Sequence, residues 1–187
     1  MSLPDLPQPA APRVAARSGG AAMSTLIRAI GLLSIVFVPG LAQAFATCGV
    51  SALALNFGNY DHLNPFANFS QTTITVSCQE NALIGLGDTV IYTIGLDGGS
   101  SGDTSNRALN QGGDNLHYNL YSEPTHTLVW GDDSGNQVGG VLAVPLCVLG
   151  LGCAVVSAPH TAYGRIPAGQ SVSPGSYSDT ITVTVTY

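Results

Sequence analysis

The sequence predicts an all-β, immunoglobulin-like sandwich, and three observations carry that prediction. Apolar residues recur with a period of two, and no stretch of ten or more residues has helical spacing. Runs rich in Gly, Asn, Asp, Pro and Ser separate the alternating segments. Four cysteines, Cys48, Cys78, Cys147 and Cys153, lie in the same part of the chain as those segments, an even count that suggests two disulfides.

Taken in order, Leu53, Leu55 and Phe57 alternate in ALALNFG and predict the first strand. Ile74, Val76 and Cys78 alternate in TTITVSC, Val90, Tyr92, Ile94 and Leu96 in TVIYTIGL, and Leu116, Tyr118 and Leu120 in LHYNLY. A short strand is expected over residues 127–130, and the last over residues 177–187, YSDTITVTVTY. In that last strand Ile181, Val183, Val185 and Tyr187 face one way and Thr180, Thr182, Thr184 and Thr186 the other, so one side needs a core and the other can stay wet. About six strands with turn-rich connections and a disulfide between early strands suit the sandwich.

The amino-terminal quarter of the 187 residues has a different character. Residues 23–44, MSTLIRAIGLLSIVFVPGLAQA, place Arg28 before an apolar run and end on Ala-Gln-Ala, the pattern of a secretory leader cleaved after Ala44. The run is too short for the ~20 apolar residues that span a bilayer. Residues 1–22, rich in Pro, Ala and Gly, read as a disordered or misassigned extension, with Met23 the expected start. Residues 45–187 then form one domain. They hold two Arg and no Lys against ten acids, a formal charge of −8, which argues against nucleic acid and against anionic membrane surfaces as partners.

Cys48 and Cys78 are each expected on a strand, and Cys147 and Cys153 flank a five-residue loop, so the expected pairs are 48 with 78 and 147 with 153. A zinc site using Cys147, Cys153 and His160 is the competing reading, and its spacing fits no usual structural-zinc pattern. No cofactor and no metal is expected. Gly98 to Gly102 match the G-x-S-x-G turn, but that turn carries a nucleophile only between a strand and a helix. Asp97 and Asp103 read as turn formers, and the four His are scattered. No nucleophile, acid–base pair or metal set is evident, so no catalytic residue is assigned. The uncharged segment 141–159 raises two readings: Leu142, Val144 and Leu146 on a buried strand, or an exposed apolar finger at Val148, Leu149 and Leu151 that meets a surface.

A longer pattern runs through nearly the whole of residues 45–187. It comprises Cys48 followed by Phe57-Gly-Asn-Tyr60; Ile74-Thr-Val-Ser-Cys78; Tyr92-Thr-Ile-Gly-Leu-Asp-Gly-Gly99; Arg107-Ala-Leu109; Leu116-His-Tyr-Asn-Leu-Tyr121; Trp130-Gly-Asp132; Tyr163-Gly-Arg-Ile-Pro-Ala-Gly-Gln170; and Gly175 through Tyr187. In this order the segments resemble the spore coat protein U family, which includes the subunits of archaic, Csu-like chaperone-usher pili.

The resemblance implies an incomplete sandwich that lacks its last strand and leaves a groove beside the strand of residues 177–187. A periplasmic chaperone, an outer-membrane usher and other pilus subunits would be the partners, through strand addition. Ile181, Val183, Val185 and Tyr187 would line the groove, with Leu53, Leu55 and Phe57 on its opposite wall. The expected role is a pilin-like structural subunit, exported to the periplasm and the cell surface, that serves adhesion to abiotic or host surfaces and biofilm formation. After cleavage only three residues precede Cys48, about 10 Å of extended chain against ~17–20 Å for an ordinary strand. That favours a tip or chain-initiating position. The alternative is a soluble coat or carbohydrate-binding module, complete without a donor strand, with Trp130 and the Asp132-Asp133 turn as its sugar contact.

Overall fold

The computed structural model describes residues 46–81, 84–85, 87–149, 151 and 153–187. The expected extension (1–22) and leader (23–44), together with Phe45, lie outside them. The strands are β1 (Ala46–Ala52), β2 (Asn68–Glu80), β3 (Ile84–Gly85), β4 (Asp88–Leu96), β5 (Arg107–Gln111), β6 (Asp114–Tyr121), β7 (Val138–Val144), β8 (Cys147–Val148), β9 (Val156–Ile166) and β10 (Val183–Thr186). A 3-10 turn, Gly99–Ser101, follows β4.

Every pairing is antiparallel. One sheet has the order β1-β2-β9-β6-β5, a second β10-β4-β7, and β3 pairs with β8 alone. The two larger sheets face each other as an immunoglobulin-like sandwich. Period-two alternation decides what lies between them: Ile74, Val76 and Cys78 from β2, Tyr92, Ile94 and Leu96 from β4, Leu116, Tyr118 and Leu120 from β6, and Leu142 and Val144 from β7 are all buried in one cluster. Each fully buried Ile or Leu adds about 1.5–3 kcal/mol.

Four expectations need correction. The alternation in ALALNFG does not make a strand: β1 lies earlier, and residues 53–60 cross the core-facing side of β2 outside any ladder. Polar side chains there hold them, since Thr72 Oγ1 donates to the Leu53 carbonyl (2.7 Å), Ser70 Oγ to Asn56 (2.6 Å) and Asn68 Nδ2 to Phe57 (3.0 Å). Residues 127–130 hold only a single bridge, Tyr121 with Val129. The last strand forms only over Val183–Thr186, and Ser178, earlier in the expected span, makes an isolated bridge to Asn110. Leu146 is exposed, while Leu142 and Val144 are buried as expected.

The alternation also failed to disclose β9, VSAPHTAYGRI. Pro159 interrupts its pattern, and is tolerated in the half of β9 that β6 leaves uncovered, since β6 pairs only with Tyr163 to Arg165. Gly164 has no side chain because Phe57 and Leu55 occupy the space: a Cβ there would meet the Phe57 ring at 2.7 Å and Leu55 at 3.1 Å.

Arg107 and Trp130 fasten the two sheets together. Arg107 is fully buried and donates to the carbonyls of Leu96, Asp97, Thr104 and Trp130 and to Asn119 Oδ1, at 2.7–3.2 Å. Trp130 is 1% exposed and its Nε1 donates to the Ile94 carbonyl at 2.9 Å. The expected Trp130 sugar contact is therefore wrong, because the indole has no open face to offer a ligand.

Candidate functional site: an open groove between two sheet edges

Antiparallel ladders alternate between residues that bond across the pair and residues whose N–H and C=O point away from it. Along β1 the bond from Leu53 N–H to the Thr73 carbonyl, 3.1 Å, continues the odd-numbered residues as those bonded to β2. The Cα atoms of Cys48 and its partner Cys78 lie 4.1 Å apart, the short spacing of a non-hydrogen-bonded pair. The backbone groups of Ala46, Cys48, Val50 and Ala52 therefore face outward. Among the described residues, β1 pairs with β2 only.

The opposite edge follows the same rule. Asp97 N–H donates to the Thr182 carbonyl at 3.2 Å, so Thr182, Thr184 and Thr186 bond toward β4 and the backbone groups of Ile181, Val183 and Val185 are left on the edge. Side chains alternate as the sequence predicts: Ile181, Val183 and Val185 are half-buried, and Thr180, Thr182, Thr184 and Thr186 are exposed. Among the described residues β10 pairs with β4 only.

Two aspartates hold the entry to this edge. Asp179 accepts from Ser100 N–H (2.8 Å) and Oγ (2.5 Å), from Tyr118 Oη (2.8 Å) and from Thr180 N–H (2.8 Å). Burial and the bond to Asp179 raise the Tyr118 hydroxyl well above its ordinary range, so it stays a donor. Asp97 Oδ1 accepts from Thr182 N–H (2.9 Å) and Gly99 N–H (3.0 Å); burial works against ionisation, but these donors and Arg107 hold the carboxyl below its ordinary value. Asp97 and Ser100 thus act as turn and latch groups; the serine of the GGSSG loop bonds a carboxylate that already serves the strand.

Between the edges the core lies open. A cavity of about 320 Å³ runs between residues 52–57 and 179–183, with Ile74, Leu96, Leu120 and Ala162 in its floor. A second, of about 730 Å³, continues it toward Tyr60 and Tyr177 and shares Leu55, Phe57, Leu109 and Asp179 with the first. Of the predicted groove residues, Leu53, Leu55, Phe57, Ile181 and Val183 line the smaller cavity. Val185 and Tyr187 do not: at that end the edges meet, and the Tyr187 phenol reaches Cys48. The periodic pattern exposed the apolar row but gave no sign of Gly164, Ala162 or Asp179, which shape the floor and mouth.

The other predicted positions fall elsewhere. Cys48 joins Cys78, and Cys147 joins Cys153, both as expected. Cys147 is buried, whereas Val148, Leu149 and Leu151 are 37%, 68% and 77% exposed. Val148 and Leu151 exchange backbone bonds of 2.8 and 2.9 Å, and Leu149 takes a left-handed conformation with φ of 50°. The zinc reading fails, since both its cysteines are oxidised and His160 Nε2 lies 2.8 Å from Tyr92 Oη.

A profile of the spore coat protein U domain matches residues 34–184. The chain belongs to the spore coat protein U family. As a member of that family it is a structural, non-enzymatic protein. This family member is 31% identical over 150 residues to Protein U of Myxococcus xanthus, the match covering 74% of each chain. Among solved structures it is similar to the CsuC-CsuE chaperone-tip adhesion subunit pre-assembly complex of the archaic chaperone-usher Csu pili of Acinetobacter baumannii, at 18% identity and a TM-score of 0.48. That likeness covers 76% of the present chain, which spans 40% of the structural relative's length.

Proposed function

We propose that this spore coat protein U domain is a pilin-like subunit completed by a β-strand from another chain. The observation that carries the reading is the pair of outward-facing edges, β1 and β10, on either side of an open apolar floor. An inserted strand would bond to Ala46–Ala52 on one side and to residues 181–187 on the other, and its inward side chains would enter the cavity. A periplasmic chaperone, an outer-membrane usher and neighbouring subunits are the partners this mechanism requires, with export to the cell surface as its destination. A leader cleaved after Ala44 would leave little chain before β1, a unit suited to receive a strand at a fibre tip rather than give one. The exposed Val148-Leu149 and Leu151 finger is then the group offered to abiotic or host surfaces, in adhesion and biofilm formation. The burial of Trp130 takes the indole out of the sugar contact named for the self-sufficient module, which leaves that reading the exposed Asp132-Asp133 turn.

The test is expression in the periplasm with and without a cognate chaperone. A soluble one-to-one complex in its presence, and a less stable, more readily proteolysed chain in its absence, is expected. A stable, cooperatively folding monomer without any chaperone contradicts the proposal.

A further inference from the structure

The groove is not equally open along its length. At the 179–183 end the floor is uncovered, whereas at the other end Cys48 N–H donates to Tyr187 Oη at 3.2 Å, and that oxygen lies 3.5 Å from the Cys48 carbonyl oxygen. These are the two backbone groups by which Cys48 would hold an added strand, because its N–H and C=O point away from β2. The disulfide to Cys78 anchors this part of β1 to the sheet, so the edge cannot move aside. Tyr187 is 54% exposed, which leaves its side chain room to swing into solvent.

We propose that Tyr187 is a clasp: its phenol occupies the Cys48 edge groups while the groove is empty, and an entering strand displaces it last. This rests on the strand-accepting reading above and adds an order to it. The strand enters beside Ile181 and Val183, where the cavity is uncovered, pairs with Ala52 and Val50, and reaches Cys48 only when the phenol leaves. Tyr187 is a positioning residue in this scheme; it sets where uptake begins and how readily it ends.

The experiment compares the wild-type chain with Tyr187→Phe, which removes the hydroxyl and keeps the ring, and Tyr187→Leu, which keeps an apolar side chain of shorter reach. Hydrogen exchange at the Cys48 amide is measured in the free protein, and uptake of a labelled twelve-residue peptide of alternating Val and Thr, with Lys at both ends, is followed by anisotropy. Loss of one hydrogen bond predicts Cys48 exchange about fivefold faster in both variants, with Val76 unchanged, and peptide uptake faster by a similar factor. Equal exchange and equal uptake rates in all three proteins overturn the clasp alone. Uptake by none of them contradicts the strand-accepting groove and takes the clasp with it.

Discussion

Arg107 donates five hydrogen bonds to groups from four segments of the chain while fully buried. Arg107→Met would strand the carbonyls of Leu96 and Trp130 in the core, while the Asn119 amide oxygen keeps the Leu120 N–H. At about 1–3 kcal/mol for each buried group left unpaired, a loss of at least ~2 kcal/mol is expected, read as a lower denaturant midpoint. An unchanged midpoint would show that water replaces the guanidinium. Gly164→Val should cost about 1–3 kcal/mol by forcing Phe57 and Leu55 off the core face, with the groove losing its floor at the same time. The carboxylates set the response to acid. Glu123 accepts from the backbone amides of Thr127, Leu128 and Thr125, in that order of effect, and its pKa falls from 4.5 to about 2. A carboxyl depressed in the folded state contributes stability that is complete above its unfolded value and is lost as pH falls through the folded one. The 122–130 loop should therefore loosen between about pH 4.5 and 2, and in Glu123→Gln it should already be loose at neutral pH. Amide exchange at Leu128 that is insensitive to both acid and substitution would contradict this.

At the scale of elements, what the sequence disclosed depended on whether a strand owed its place to its own pattern or to its neighbours. The strands β2, β4 and β6 carry regular apolar alternation and were legible from it. The alternation of Leu53, Leu55 and Phe57 was real but misread. It marks a segment that packs over Gly164 and is held by side chains of β2, and no local signal separates that from a ladder. Strand β9 was invisible for the complementary reason: Pro159 and Gly164 weaken its pattern, and only its neighbours β2 and β6 make it a strand. The groove's apolar row, Ile181, Val183 and Val185, could be read directly, whereas Asp179 could not, since its partners Ser100 and Tyr118 lie 79 and 61 residues away. The disulfides divide along the same line. Loop-closure entropy gives about 3.5 kcal/mol for a 30-residue separation and about 2 kcal/mol for 6. Cys48→Ala with Cys78→Ala should thus lower the unfolding midpoint more than the Cys147 and Cys153 pair of changes. The reverse order would mean that β1 is held by its ladder alone. Because Leu149 and Leu151 are exposed between the bridged Cys147 and Cys153, Leu149→Ser with Leu151→Ser should abolish attachment of assembled fibres while assembly proceeds; unchanged attachment would remove the finger from the account.

The whole molecule is a sandwich whose two larger sheets leave a seam open between β1 and β10. Arg107, Trp130 and the buried faces of β2, β4 and β6 close the core, which lies open between residues 52–57 and 179–183 and on toward Tyr60 and Tyr177. A strand supplied there would cover about four apolar side chains, and the gain follows from the burial of those and of its own. The most direct measurement is thermal unfolding of the chain with and without a flexible linker and an alternating Val-Thr strand fused after Tyr187. The account predicts a midpoint at least ~10 °C higher for the fused protein, from roughly 5 kcal/mol of added burial, together with a steeper denaturant dependence. Equal midpoints and equal slopes, with the unfused chain already unfolding cooperatively, would contradict it, since they would show a sandwich that is complete without a second chain.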